Sequence, residues 1–145
     1  MIHLMAIGSY VQSHLLGIVL AILATYVVGF VWHGPLFGKQ WIALNRMTPP
    51  KKGEMKFCMM LPGLTANFVM VFVQSAVLGR AFQILLLPHV GHALLIATII
   101  WLPFSALFIA NIYLWSGKPW KLLLLDSFHG LVALWAVAAV LYWTL

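Results

Sequence analysis

The sequence predicts an all-α integral membrane protein, a single transmembrane domain over residues 1–145 built as a bundle of four membrane-crossing helices. Three observations predict it. Hydrophobic residues make up 64% of the chain and charged residues 7%, where ordinary soluble domains carry roughly 25% charged residues. So few charges cannot coat a soluble domain, and disorder needs low hydrophobicity with high charge. Second, the stretches without Asp, Glu, Lys or Arg are 1–38, 57–79, 81–117 and 127–145, and a membrane helix needs about 20 mostly apolar residues. Third, these stretches are apolar all round, whereas the strands of a membrane barrel alternate apolar and polar over about ten residues.

The first span is read as residues 14–32, rich in Leu, Ile, Val and Ala and stopped by Gly34-Pro35. The second covers 57–78 and ends at Gly79-Arg80. The stretch 81–117 is too long for one crossing. Pro88-His89-Val90-Gly91 divides it, so the third span covers 92–115 and Ser116-Gly117-Lys118-Pro119 makes the following turn. The fourth covers 122–143. The short apolar pieces at Met1–Tyr10 and Ala81–Leu87 are expected as helical ends or interfacial segments. No Lys or Arg precedes Lys39, so the first span is expected to be retained rather than cleaved as a signal peptide.

Charge sets the expected orientation. The loop 33–56 holds Lys39, Arg46, Lys51, Lys52 and Lys56, and the turn after the third span holds Lys118 and Lys121. These are seven of the eight basic residues, and the opposite side has only Arg80. The positive-inside rule places both loops in the cytoplasm and both termini on the outer, periplasmic side of a bacterial inner membrane. Trp32, Trp41, Trp115 and Trp120 are expected at the cytoplasmic interface and Trp143 near the outer one. The net charge of +6 therefore speaks for topology and headgroup contact, and no nucleic-acid partner is expected. The single Cys58 allows no internal disulfide and no paired-cysteine metal motif.

Membrane helices pack through small residues and occasional polar contacts. The expected inward faces are His14, Gly17, Ala21, Ala24 and Val28 on the first span and Gly63, Asn67, Met70 and Gln74 on the second. On the fourth, Asp126, His129, Gly130, Ala133 and Val137 recur at helical spacing. Pro62 falls in the first turns of its span, where proline is tolerated, while Pro103 is mid-span and predicts a kink.

The run Trp32-His33-Gly34-Pro35-Leu36-Phe37-Gly38-Lys39-Gln40-Trp41 resembles the W-Y-G-P-L-F-G-K-x-W signature of domain-of-unknown-function family 1761, a group of small bacterial membrane proteins. This chain carries His33 where that signature usually has Tyr. Asn111-Ile112-Tyr113-Leu114-Trp115 with Gly117-Lys118 and Lys121-Leu122 is similar to the family's exit from the third helix. Leu125-Asp126-Ser127-Phe128-His129 is similar to its I-D-x-x-Y/F-H motif in the last helix. The resemblance implies a four-helix membrane domain and supplies no activity.

Asp126 is the only acid within a span. It lies about 7 Å inward of Lys121 at 1.5 Å per helical residue. A carboxylate there must pair or face the interior, and its expected partners are His129, Asn111, Lys39 and His33. Two roles compete for this cluster: a structural clamp fastening the first loop, or a proton-handling or ligand site. At the outer side His14, His89 and His92, with His3, are expected as possible ligands for a metal, haem or a chlorophyll-type pigment. No tight metal motif accompanies them, so solvated interfacial histidine is favoured and no cofactor is expected. Gly34 to Lys39 is one residue short of a phosphate loop and has Gln40 in place of Ser or Thr. With two acids in the chain, paired-carboxylate catalysis is not expected.

The favoured function is a non-catalytic accessory, stabilising or assembly subunit of a larger membrane complex of respiratory or photosynthetic type. Its partners would be the lipid bilayer and other membrane subunits or further copies of itself. The alternatives are a small oligomeric transporter or channel with a polar site at Asp126, and a metal- or pigment-binding protein using the outer histidines.

Overall fold

The computed structural model describes residues 2–47 and 57–145, with side chains placed for residues 7–47 and 60–145. Among the described residues the chain is entirely helical. Seven α-helices follow one another: α1 (Ile2–Ser13), α2 (Leu15–Val31), α3 (Gly38–Leu44), α4 (Phe57–Leu85), α5 (Val90–Trp101), α6 (Leu107–Trp115) and α7 (Trp120–Thr144). A π-helical turn over Trp32–Leu36 extends α2, and another over Leu102–Ala106 joins α5 to α6. Read through these turns, four helices are long and apolar enough to cross a membrane: Leu15–Leu36, Met60–Leu85, Val90–Trp115 and Trp120–Thr144. The chain is thus that of a membrane protein. The loop residues Lys51, Lys52, Glu54 and Lys56, and the side chains of His3 and Cys58, lie outside the described residues.

Both π turns hold a proline. Pro35 has no N–H to give to the preceding turn, and the helix resumes with Phe37 N–H donating to the Trp32 carbonyl five residues back (2.9 Å). Gly34-Pro35 therefore does not stop the first crossing at residue 32, as expected above, but widens it and carries it to Leu36. Pro103 acts likewise between α5 and α6. After Phe37 the chain turns into α3, and here glycine is required. A Cβ on Gly38 would collide with the His33 carbonyl oxygen, so only glycine lets α3 fold back this closely.

The turn into α7 is set by Gly117, whose φ of +65° suits a residue without Cβ. Lys118 N–H donates to the Tyr113 carbonyl (3.0 Å) and Gly117 N–H to that of Leu114 (3.3 Å). Those two bonds close the end of α6 and fix Tyr113 relative to the start of α7. The apolar piece at Ala81–Leu87 continues α4 as a helical end, and the N-terminal piece forms α1, bent from α2 at His14.

Successive long helices run antiparallel. Gly17 near the start of α2 meets Thr144 at the end of α7, and Gly29 near its end meets His129. Tyr26 Oη donates to the Leu64 carbonyl (2.7 Å), tying α2 to the first half of α4. Tyr142 Oη donates to the Pro88 carbonyl (3.3 Å), tying the end of α7 to the start of α5. The core lies around α7, where Ile18, Ala21, Val71, Phe82, Ala93, Ala97, Val137, Ala138 and Leu141 are buried together. Apart from the aromatic rings of Tyr10 and Phe82 its members are small or branched, which lets backbones approach. Gly130 shows the same effect, since a Cβ there would press on Ser105 Oγ at 2.9 Å.

The faces differ in part from those expected. On α2, Gly17 and Ala21 are buried as predicted, joined by Ile18, Ile22 and Thr25. On α4 the inward face is Val71, Ser75, Ala76, Leu78 and Phe82, whereas Gly63 and Met70 are exposed. Tyr10 from α1 packs on this helix too, its hydroxyl lying against Gly79, where any Cβ would overlap it. On α7 the buried positions are Leu122, Ser127, Leu131, Leu134, Val137, Ala138 and Leu141, with Asp126, His129 and Gly130 only partly covered.

Candidate functional site

The polar layer forms where the end of α2, the short α3, the end of α6 and the start of α7 meet. Asp126 stands at its centre, half-buried on α7. Its Oδ1 accepts a hydrogen bond from Trp41 Nε1 (3.1 Å) and its Oδ2 one from Tyr113 Oη (2.5 Å). Both carboxylate oxygens are engaged, each by a neutral donor from a different segment. Charge-assisted bonds of this kind are about twice as strong as neutral ones. Asp126 therefore joins α3 and α6 to α7 through two contacts 85 and 13 residues away in sequence.

These partners replace those expected. Lys39 and Asn111 are exposed, and each lies two residues from the residue that reaches Asp126. At about 100° per residue, two residues turn a helical side chain by roughly 200°. The expected depth on each segment is right and the face is opposite. His33 and His129 do not bond the carboxylate either. Instead they meet each other edge to face, with ring centroids 4.6 Å apart. His33 also packs on Trp41 (5.4 Å) and His129 on Trp32 (5.8 Å). His33 Nδ1 lies 3.3 Å from the Gly29 carbonyl, and a carbonyl only accepts, so Nδ1 carries the proton. His129 Nε2 and Trp32 Nε1 are buried without a hydrogen-bond partner.

Much of the Trp32–Trp41 run has a place in this layer. Trp32 packs on Phe37 with centroids 4.6 Å apart. Gly34 and Pro35 lie in the π turn, Gly38 admits the His33 carbonyl, and Trp41 reaches Asp126. Leu36 is exposed, as suits an apolar side chain at the end of a membrane helix. Trp41 and Trp32 are thus more than interfacial anchors, while Trp115, Trp120 and Trp143 are largely exposed near helix ends.

At the opposite end, the histidines considered as possible ligands form two separate arrangements. His14 stacks on Tyr10 with rings 4.6 Å apart and 10° from parallel. Arg80 Nη1 donates to Gln83 Oε1 (3.1 Å), and a guanidinium cannot accept, so the other face of the amide is its NH2. That group lies 3.2 Å from His14 Nε2 and donates to it. His14 Nδ1 in turn lies 3.2 Å from the Tyr10 carbonyl, which fixes its proton there. Both ring nitrogens of His14 are thus engaged, Nδ1 also lying 3.0 Å from Ser13 Oγ. His89 and His92 contact each other, Nδ1 to Nδ1 at 3.0 Å, on the exposed surface. Among the described residues no group of three or more His, Cys, Asp or Glu side chains is placed to hold a metal ion.

Tyr113, Gln83 and Tyr10 are the contributors that residue types alone leave unmarked. For Tyr113 a signal exists: it is the phenol at the depth of Asp126 on the preceding span.

Four membrane-length helices around a small-residue core, with a carboxylate fastened at one end, define a small helical membrane protein. The chain belongs to the family described as "Protein of unknown function (DUF1761)", which it matches over residues 16–142. That span takes in every residue of the polar layer. No curated protein and no solved structure matches the chain.

Proposed function

We propose that this protein is a non-catalytic accessory subunit that stabilises or helps assemble a larger complex in a bacterial inner membrane. In this reading the four crossings form a bundle with both termini outside, because the segment 33–56 and the turn before α7 together hold seven of the eight basic residues of the sequence. The observation that carries it is the uneven covering of the helices. Only 11% of the apolar stretch of the third span is buried inside the molecule, against 28–33% for the other three. Around its π turn, Phe104 and Phe108 are 79% and 60% exposed, a bulky aromatic ridge suited to packing against another helix. The engagement of both Asp126 oxygens supports a joint rather than a transport site.

Photo-crosslinking in native membranes tests the proposal. A benzophenone amino acid at Phe104 or Phe108 is expected to give one discrete adduct with a different membrane protein, and the same probe at Val73 on α4 is not. Adducts with lipid alone, or with a second copy alone, would overturn the heteromeric role. A periplasm-restricted thiol reagent that fails to label a C-terminal cysteine would overturn the orientation.

A further inference from the structure

A cavity of about 700 Å³ lies between α2, the first half of α4 and α7. That is within the range of small-molecule sites, roughly 300–1,000 Å³. Its walls come from Tyr26, Gly29, Phe30 and His33 on one side, Met60, Leu64 and Asn67 on another, and His129 on the third. Among the described residues no Lys, Arg, Asp or Glu lines it.

The polar groups on these walls divide into two sets. Thr25 Oγ1 donates to the Ile22 carbonyl (2.7 Å) and Tyr26 Oη to that of Leu64 (2.7 Å), so both are engaged by the backbone. His129 Nε2 is buried with no partner, and the Asn67 amide makes no hydrogen bond among the described residues. A buried polar group without a partner costs on the order of 1–3 kcal/mol, and the hydrocarbon interior offers no water to relieve it. The glycine opposite matters too. A Cβ on Gly29 would lie 3.8 Å from His129 Nε2, so any larger side chain there would grow into the space that this nitrogen faces. His33, protonated on Nδ1, keeps an acceptor nitrogen in its neutral form.

We propose that this cavity binds a neutral, lipid-soluble molecule whose head carries hydrogen-bonding oxygens, the chemistry of a quinone or quinol. His129 and Asn67 hold the head, and Tyr26, Phe30, Met60 and Leu64 surround its apolar part. None of the described lining residues is charged, so none of them offers a counter-charge to a phosphate-bearing or carboxylate head. Phe30 and Met60 are both exposed, which gives the molecule a lateral route from the lipid. The proposal is independent of whether a partner subunit covers α5 and α6.

The test is a titration of the purified protein in nanodiscs with decylubiquinone, read as quenching of tryptophan fluorescence. Trp32 lies 5.8 Å from the His129 ring, centre to centre, and serves as the local reporter. Saturable quenching is expected in the native protein. Asn67→Leu and His129→Leu are each expected to raise the half-saturating concentration about tenfold, and Gly29→Leu to abolish saturation. Gln83→Leu, at the other end of the molecule, is expected to leave the curve unchanged. The three cavity variants sit on three different helices, and a variant counts only if its unfolding temperature stays within a few degrees of the native value. Quenching that rises linearly without saturation in the native protein is partition into lipid and overturns the proposal. So does a saturable curve that the folded cavity variants leave unchanged.

Discussion

The two ends of the molecule handle a lone charge in different ways. At one end Asp126 is an anion with both oxygens occupied, by Trp41 and Tyr113. At the other, Arg80 is a cation that gives one Nη to Gln83 while its Nε is buried without a partner. Neither contact is an ion pair. Each charge is met by neutral dipoles, and from there the two ends diverge. The carboxylate ends its network, because it accepts from both sides. The guanidinium starts one, running through the Gln83 amide to His14 and on to the Tyr10 carbonyl. The first arrangement is a closed joint among three segments. The second is a relay of single bonds that aligns the α1–α2 bend with α4. A closed joint concentrates its stabilisation in one residue, and a relay spreads it over several.

That contrast is broken most directly at Asp126. Asp126→Ala leaves Trp41 Nε1 and Tyr113 Oη without their acceptor and unfastens α3 and α6 together. Bonds to charged groups are worth roughly 1.5–3 kcal/mol each. With the site half-exposed, a loss of about 2–4 kcal/mol is expected, measured as denaturant or thermal unfolding in detergent. Asp126→Asn retains an acceptor oxygen and is expected to lose about half as much. If both substitutions leave stability unchanged, the joint is not closed in the sense described.

The next largest effect is expected at Gly79. A Cβ there overlaps the Tyr10 hydroxyl, and the Tyr10 ring is buried and stacked on His14, so it has little room to retreat. Gly79→Ala should cost roughly 1–3 kcal/mol, the range for overpacking. Tyr10 Oη has no hydrogen-bond partner, so Tyr10→Phe alone is expected to be close to neutral. The double variant should recover only part of the loss, because the Tyr10 ring carbons Cζ and Cε1 still lie against that Cβ after the hydroxyl is removed. A double-mutant cycle with no coupling between the two positions would show that α1 does not rest on Gly79.

How far the sequence discloses this arrangement depends on what each residue has to distinguish. The crossings are legible because lipid demands about 20 apolar residues, but their ends are less so: the first runs on through Pro35 to Leu36, and the second runs past Gly79-Arg80 to Leu85. Pro35 shows why: composition marks a missing N–H but not whether a π turn bridges it. Asp126 was legible as the anomaly, since a lone acid in an apolar run must find partners. Its partners were not, because runs that are apolar all round carry almost no amphipathic signal to orient a helix about its axis. The two-residue offsets from Lys39 to Trp41 and from Asn111 to Tyr113 are that ambiguity expressed in residues. The shifted face of α4 has the same origin. The surroundings of His14 are illegible for another reason: the Gln83 amide, which carries no charge and no motif, occupies its Nε2.

The smallest expected effect sharpens the contrast from the relay side. Gln83→Leu removes the acceptor of Arg80 Nη1 and the donor to His14 Nε2 in one step, yet it touches no closed joint. Only one of the five Arg80 N–H groups loses its acceptor. His14 keeps its stack on Tyr10 and its bond to the Tyr10 carbonyl. The expected loss is about 1 kcal/mol, near the net worth of a single hydrogen bond. It should appear as faster hydrogen exchange confined to α1 and the His14 bend, with α7 unaffected. A loss as large as that of Asp126→Ala would mean that the relay is also a closed joint, and that the two ends are built alike.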